Sequence, residues 1–230
     1  MQKSIEILFE DENCLVINKP AGLAVQGGAG IKISLDSILT ENYPLRPLLV
    51  HRLDRDTSGV ILVAKNQAAA AHYSALLGPN AYSIKEYLAV CAGRPKKDSG
   101  LIDTDIEING KMKKCETRYT VLKTSEFPAE VAESACCKSY SGVFSLVKLE
   151  LGTGRMHQIR RHMAQACTPV LCDDKYGDFK LNKLLAKTLK LKHLLLHAQR
   201  LQIPAGQGAI PSIDVCAPLP KYFSEFLEIK

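Results

Sequence analysis

The sequence predicts an α+β fold, in which helices and loops flank one large mixed sheet whose strands are mainly antiparallel. Short apolar segments rich in Val, Ile, Leu and Tyr recur along the chain, as is typical of strands. Helical spacing is only intermittent, and the regular strand-helix alternation of a doubly wound parallel sheet is absent. No internal repeat or linker divides the 230 residues, so we expect a single domain over residues 1–230.

The individual elements follow from periodicity and from turn residues. The helix over Leu35–Tyr43 has Ser34 as a plausible N-cap, and the polar, basic segment Arg94–Lys114 is a loop or hairpin. The segments predicted as strands are Ile5–Phe9, Cys14–Asn18, Val60–Ala64, Ile84–Ala92, Glu116–Lys123, Val143–Leu151 and Leu194–Pro204. Further helices are expected over Asn66–Leu77, after Gly154, through the lysines of 180–190 and over Leu219–Ile229.

Composition describes an ordinary globular protein, with 46% hydrophobic and 23% charged residues. No apolar run approaches the ~20 residues that span a bilayer, and no signal peptide opens the chain, so we expect a cytoplasmic location. The eight cysteines form no C-x-x-C pair. Cys14, Cys91, Cys172 and Cys216 lie in apolar strand-like segments, and we expect reduced, mostly buried thiols rather than a zinc site.

The positive charge is unevenly distributed. The net charge is +6, and the window from Phe179 to Ile213 contains no acidic residue. Such an asymmetry suits a polyanionic partner, although a solvated lysine face is the common alternative. Four of the lysines share one side of a helix whose leucines occupy another side; they are Lys180, Lys183, Lys187 and Lys190.

The stretch His51–Gly59, which runs into the apolar strand, displays polar groups at a strand entrance. Asp54 follows Arg52 by two residues and directly precedes Arg55, so cationic neighbours should keep this candidate nucleophile ionised. The alternative is that Asp54 or Asp56 simply bonds backbone N–H groups of the turn.

A second polar cluster lies in Gly152–Ala164, which combines three arginines and two histidines with no acid. Its spacing places Met156, Ile159, Met163 and Ala166 on an inward helix face, and Arg160 borders that face. A helix N-terminus with arginines is an anion site by both dipole and charge. The alternative is a surface arginine cluster.

His193 and His197 have the spacing of helical zinc ligands, but no H-E-x-x-H pattern is present. The surrounding segment is typical of a buried strand. We therefore expect two core histidines and no metal site.

The string His51-Arg52-Leu53-Asp54-Arg55-Asp56-Thr57-Ser58-Gly59 closely resembles the signature of the RluA family of RNA pseudouridine synthases. Four further segments resemble that family in the same order: Asn18–Gly22, Lys85–Ala89, Thr153–His162 and Leu195–Ala198. Gln26–Gly30 and Cys172–Asp178 are similar to its RluC branch, whose members modify large-subunit ribosomal RNA. That branch usually carries an S4-type RNA-binding domain, which this chain is expected to lack.

The resemblance implies the pseudouridine synthase catalytic fold, no metal or organic cofactor, and an RNA substrate, most consistent with 23S ribosomal RNA. It assigns Asp54 as nucleophile, Tyr87 as the tyrosine that stacks on the flipped uracil and helps remove the C5 proton, and Arg160 as the partner of Asp54. Arg52 would occupy the space of the flipped base. Whether Asp54 attacks C1′ or C6 stays open. The remaining RNA contacts are expected from Arg55, Arg155, His157, Lys180, Lys183, Lys187 and Lys190.

Other interpretations of these residues remain. The same chemistry on transfer RNA or another RNA keeps the site and changes the target. A non-catalytic RNA-binding module keeps the fold without the chemistry, and a hydrolase would use Asp54 and Asp56 as nucleophile and acid. The protein is expected to be a monomer, and Met156 and Arg161 depart from residues common in the family.

Overall fold

The computed structural model describes residues 5–43, 46–78, 83–205 and 211–228. These residues form a large mixed, mainly antiparallel sheet with flanking helices, which confirms the predicted α+β class. The strands are β1 (Glu6–Glu10), β2 (Cys14–Lys19), β3 (Leu48–Leu49), β4 (Ser58–Ala64), β5 (Ile84–Ala92), β6 (Ser99–Ile102), β7 (Ile106–Ile108), β8 (Lys111–Lys113), β9 (Thr117–Glu126), β10 (Val143–Leu151), β11 (Leu196–Ile203) and β12 (Ile213–Cys216). The helices are α1 (Leu35–Asn42), α2 (Gln67–Leu77), α3 (Ala129–Ala132), α4 (Ala135–Lys138), α5 (Gln158–Gln165), α6 (Phe179–Thr188) and α7 (Lys221–Glu228).

The chain divides into two compact units. The first is formed from Met1–Glu86 and Ala198–Pro218, and the second from Tyr87–His197 and Leu219–Lys230. That residues 1–230 form a single domain remains a prediction. None of the helices in the described ranges is long and apolar enough to cross a membrane.

The first unit is built around β4, every residue of which is buried. β2 pairs with β4 in antiparallel register, from Cys14 opposite Ala64 to Lys19 opposite Gly59. The apolar run of β4 therefore reflects a strand covered on both faces. The register brings the end of β2 beside the start of β4, where the polar stretch His51–Thr57 enters the sheet.

The second unit contains the long antiparallel pair β9–β10, and β6 pairs with the other edge of β9. The basic segment Arg94–Lys114 contains β6 and a separate two-stranded hairpin of β7 and β8, so the hairpin alternative is confirmed. One core cluster contains the neighbouring rings of Phe127, Phe144 and Phe226 and receives the leucines of α6. A second cluster lies beneath α5 and contains its Ile159 and Met163.

Helix α5 begins later than its sequence pattern indicates. Arg155, Met156 and His157 precede it, and His157 has a left-handed backbone with φ +55° and gives no side-chain cap. The prediction that Met156 and Ala166 face inward is wrong, because Met156 is 49% exposed and Ala166 is exposed as well. Arg160, predicted to border the buried face, is 4% exposed.

The cysteine and histidine predictions have mixed outcomes. All eight cysteines fall within the described ranges as free thiols, but Cys216 in β12 is exposed rather than buried, as is Cys167. His197 is fully buried in β11, as expected of a core histidine. His193 is exposed beside the ring of Tyr222, so its placement in the core is wrong.

Candidate active site

The loop of Asp54 is fixed at both ends within the first unit. His51 Nε2 accepts a hydrogen bond from the backbone N–H of Leu62 in β4, at 2.9 Å. The N–H of Thr57 donates to the carbonyl oxygen of Asp54 at 3.2 Å, which closes the turn. The Asp54 side chain is half-buried. The predicted turn at the entrance to a buried strand is confirmed.

His51 is neutral in this position. Burial lowers its pKa to about 4, and the charge of Lys85 acts in the same direction. A neutral imidazole keeps one nitrogen as an acceptor, which the bond from Leu62 requires. The first residue of the loop is therefore attached to the sheet by a bond that exists only above the histidine's pKa.

Lys19 joins the turn after β2 to the loop of Asp54. Its side chain is 0% exposed, and Nζ donates to the carbonyl oxygens of Pro20, Leu23 and Arg55, each at 2.9 Å. The N–H of Gly22 donates to the same Arg55 oxygen at 2.9 Å. An ammonium has three donors, and all three are used here.

The charge of Lys19 also bears on Asp54. Burial lowers the pKa of Lys19 to about 7, whereas the negative charges of Asp56 and Asp54 act to raise it. In its protonated form Lys19 is therefore a buried cation that interacts electrostatically with the candidate nucleophile. Lys19 was not predicted as a site residue, and its only signal in the sequence was the Asn18–Gly22 segment.

Gly59 allows the backbone to approach β11 closely. Its φ is +110°, and a Cβ at this position would lie 2.1 Å from the carbonyl oxygen of Ala198. No other residue fits, because both the conformation and the space exclude a side chain. The glycine that ends the signature and the alanine of Leu195–Ala198 are therefore neighbours in the first unit.

The two arginines that flank Asp54 are exposed. Arg55 donates to the Asp56 carboxylate, with Nε–Oδ1 and Nη2–Oδ2 distances of 3.1 Å. Asp56 is thus held by its neighbour in the loop, which fits a structural role. Arg52 is open to solvent, as a residue that contacts a large ligand must be.

Arg160 is held in a buried ion pair within the second unit. Its Nε and Nη2 donate to Asp173 at 2.8 and 2.6 Å, and Nη2 also donates to the exposed Asp174 at 2.9 Å. Burial acts to raise the pKa of Asp173, but the bonds from Arg160 and from the N–H groups of Tyr176 and Lys175 outweigh it and lower that pKa. Asp173 therefore remains a carboxylate and fixes the guanidinium.

Tyr176 connects this ion pair to His157. Its hydroxyl is 3.1 Å from His157 Nδ1, and its ring centroid is 5.4 Å from Cζ of Arg160. The tight turn depends on Gly177, because a Cβ there would lie 2.5 Å from the carbonyl oxygen of Asp173. Sequence spacing offers no direct signal for these contacts, since Asp173 and Tyr176 lie 13 and 16 residues beyond Arg160.

Gln158, the first residue of α5, bonds through its side chain to the segment before the helix and to the residue before β9. Its Oε1 accepts from Thr153 Oγ1 at 2.7 Å and from the N–H of Arg155 at 3.0 Å, and its Nε2 donates to the carbonyl oxygen of Glu116 at 2.8 Å. His162, fully buried, bonds to Thr117 Oγ1 at 2.9 Å. These side chains attach α5 to β9 and fix the backbone around Arg155.

Tyr87 lies in β5 and is partly buried. It packs against the core cluster that also contains Ile159 and Met163 of α5, so Tyr87 and the helix of Arg160 share one packing layer of the second unit. The lysines of α6 are exposed, whereas its Leu181 and Leu185 are buried, which confirms the basic amphipathic helix.

The predicted site residues thus fall into two groups. Arg52, Asp54 and Arg55 share one loop of the first unit, and Tyr87, Arg155, His157 and Arg160 lie in the second unit with the lysines of α6. The pairing of Arg160 with Asp54 stays a prediction. Among the residues that the structure describes, no group of three His, Cys, Asp or Glu side chains is arranged to hold a metal ion.

Comparison with known proteins gives consistent matches. The family model described as RNA pseudouridylate synthase matches residues 13–165. Ribosomal large subunit pseudouridine synthase C of Rickettsia bellii (strain RML369-C) is 34% identical over 220 residues, which cover 95% of this chain and 69% of that protein. The protein of the same name from Salmonella typhi is 33% identical over 239 residues, with 97% and 69% covered.

A solved structure agrees with these matches. Human RNA pseudouridylate synthase domain containing 4 superposes with a TM-score of 0.72 at 26% identity and covers 96% of this chain and 91% of its own. The resemblance to the RluA family and its RluC branch is confirmed. The chain belongs to the RNA pseudouridylate synthase family and is an RNA pseudouridine synthase.

Proposed function

We propose that this protein isomerises uridine to pseudouridine in structured RNA, with large-subunit (23S) ribosomal RNA as the target and Asp54 as the nucleophile. One observation carries the choice of Asp54. It is a half-buried carboxylate on a loop that Lys19, His51 and Gly59 hold by backbone bonds and close packing. A nucleophile benefits from such a fixed position, since catalysis depends on orientation.

The reaction breaks the bond between N1 and C1′, turns the uracil and forms a bond between C5 and C1′. One proton leaves C5 and one is gained at N1, so atoms and charge balance without a cofactor. The Asp54 carboxylate would add covalently at C1′ or at C6 of the base, and both routes are open.

We assign two supporting roles in the second unit. Tyr87 stacks on the flipped uracil and assists removal of the C5 proton, for which its partly buried position in β5 is suitable. Arg160 pairs with Asp54, and its pre-organisation by Asp173 favours a fixed geometry for that pairing.

RNA binding in this proposal begins with base flipping, which costs on the order of a few kcal/mol. Arg52 fills the space that the base leaves, a role that suits its exposed side chain. Further contacts to phosphates and bases come from Arg55, Arg155, His157, Lys180, Lys183, Lys187 and Lys190. Such contacts make the affinity strongly dependent on salt.

Release of tritium from RNA that contains 5-tritiated uridine tests the chemistry. The wild-type protein is expected to release tritium without free uracil, and Asp54→Asn to abolish release while RNA binding is kept. Asp56→Asn is the matched control in the same loop and is expected to retain release. If Asp54→Asn retained full activity, or free uracil appeared, the proposed chemistry would be wrong.

The target rests on the names of the relatives, which are ribosomal large subunit pseudouridine synthases. Transfer RNA or another RNA is the alternative substrate. Pseudouridine mapping in a deletion strain, with and without this chain, decides between them: loss and rescue at large-subunit positions is the expected result. A cytoplasmic location and a monomeric state remain predictions that fractionation and light scattering address.

A further inference from the structure

Helix α6 presents a basic face, and the helix itself contains no acidic residue. Successive residues turn by about 100° around a helix, so Phe179, Lys180, Lys183 and Lys187 fall within an arc of about 100°. Leu181 and Leu185 lie on the opposite side and are fully buried in the core of the second unit. Among the residues described, the four lysines of this surface, including Lys190 just beyond the helix, form no ion pair with a carboxylate.

This charge arrangement is unfavourable for the helix itself. Lys180 lies in the first turn, where the helix dipole disfavours a cation, and Asp178 compensates only as the N-cap. Lys183 and Lys187 are four residues apart, a spacing at which like charges repel. A polyanion bound along this face would remove both penalties, which is the charge complementarity expected of a nucleic-acid partner.

Phe179 adds an aromatic surface to the basic face. Its side chain begins α6 and is 62% exposed, and it is not a member of either core cluster described above for the second unit. Lys183 lies one turn further along the same face. An exposed aromatic ring beside a row of cations is the arrangement that binds single-stranded nucleic acid, because every unpaired base offers a π-face for stacking.

Within the second unit, the basic face of α6 directly follows the segment that holds Arg160. The segment that holds Arg160 through Asp173 continues through Tyr176 to Asp178, the N-cap of α6. Phe179 is therefore only six residues from the carboxylate that fixes Arg160. From Phe179 to Lys187 the face extends over roughly 12 Å at about 1.5 Å per residue, and Lys190 follows beyond the end of the helix.

We propose that this face binds an unpaired segment of the substrate RNA, with Phe179 stacked on one base and the lysines on the following phosphates. The inference rests on the proposed function and adds to it the substrate class, an RNA that has unpaired nucleotides next to the modified uridine. Bases inside a duplex are covered on both faces, so they do not offer Phe179 a stacking partner.

Fluorescence anisotropy with labelled single-stranded and duplex RNA of the same length tests the proposal. Phe179→Ala is expected to weaken single-strand binding roughly tenfold and leave duplex binding unchanged, as loss of one stacked base predicts. Phe179→Tyr keeps an aromatic ring and should bind single-stranded RNA as tightly as the wild type. Lys183→Ala should weaken binding to single-stranded RNA and to duplex RNA. For the single strand, it should reduce the slope of log affinity against log salt concentration by about 0.7. The matched control is Leu122→Ala, which changes an exposed apolar residue of β9 and should leave the affinities for single-stranded and duplex RNA unchanged.

Two results would overturn the inference: no change in single-strand affinity for Phe179→Ala, or an equal loss for single strand and duplex. Failure of wild-type protein to bind single-stranded RNA at low salt would do the same and would favour a protein partner. Tritium release by wild type and its loss in Asp54→Asn are measured in parallel. If those hold while the Phe179 effect is missing, only this inference fails; if tritium release is absent while the Phe179 effect is found, only the proposed function fails.

Discussion

Arg160 and Asp173 form a two-bond ion pair inside the second unit, at 2.8 and 2.6 Å, with side chains 4% and 0% exposed. Breaking one partner of such a pair leaves a buried charge uncompensated. We expect Asp173→Asn to lower the free energy of unfolding by about 3–5 kcal/mol in urea denaturation. Asp174→Asn is the control, since its side chain is 70% exposed, and a loss above about 1 kcal/mol there would contradict this account.

Lys19→Met removes the three donors that link the turn after β2 to the loop of Asp54. The carbonyl oxygen of Arg55 keeps its bond from Gly22, but the loop loses its buried anchor. We expect faster hydrogen exchange at the N–H groups of Gly22 and Thr57, measured by NMR or mass spectrometry. In Lys65→Met, which loses a surface ion pair to Glu10, both groups should exchange as in the wild type.

His51 makes stability depend on pH in a defined window. Its pKa is lowered from 6.5 to about 4 in the folded protein, so between these values only the unfolded chain takes up the proton. The contribution of His51 to the free energy of unfolding is therefore fully present above pH 6.5 and is lost as the pH falls toward 4. Its total is on the order of 3 kcal/mol.

Chemical denaturation at several pH values in this range tests that dependence. His51→Gln keeps an acceptor for the N–H of Leu62 without a titrating group, and its stability should fall less steeply than that of the wild type. His193→Gln changes an exposed histidine and should leave the slope intact. An unchanged slope in His51→Gln would assign the pH dependence to other groups.

Gly59→Ala is expected to destabilise the first unit strongly. The added Cβ would lie 2.1 Å from the backbone oxygen of Ala198, and the residue would keep φ near +110°. We expect a loss of at least about 3 kcal/mol in thermal or urea unfolding. Gly27→Ala is the control, because a Cβ there would meet no atom within 4 Å and its φ lies outside the left-handed region. Near-equal effects of the two substitutions would refute the steric argument.

Sequence patterns predicted the strands and helices that have strong periodicity or clear end signals. Ser34 caps α1 as expected, and β4 follows directly from an apolar run with a glycine at its start. The start of α5 was less predictable. His157 has a left-handed backbone directly before the helix, so Met156 lies outside α5 and is exposed.

The chemistry of the site was only partly predictable for a related reason. The loop of Asp54 is a continuous motif, so the resemblance identified it directly. The buried partner of Arg160 lies 13 residues away, and Lys19 acts on the loop through its bond to Arg55, 36 residues further along the chain. Such contacts depend on the fold, because neither spacing nor charge pattern fixes which acceptor a buried cation meets.

The three acceptors of Lys19 Nζ are main-chain carbonyl oxygens. Such an oxygen is present whichever side chain the accepting residue carries. The anchor of the loop is therefore insensitive to substitution at Arg55, and nothing in it involves the side chain of Arg52. Variants of either arginine would therefore keep the Lys19 anchor, although an Arg55 variant would lose its bonds to Asp56. This separation lets the RNA contacts that we propose for the two arginines be tested in variants that keep the Lys19 anchor.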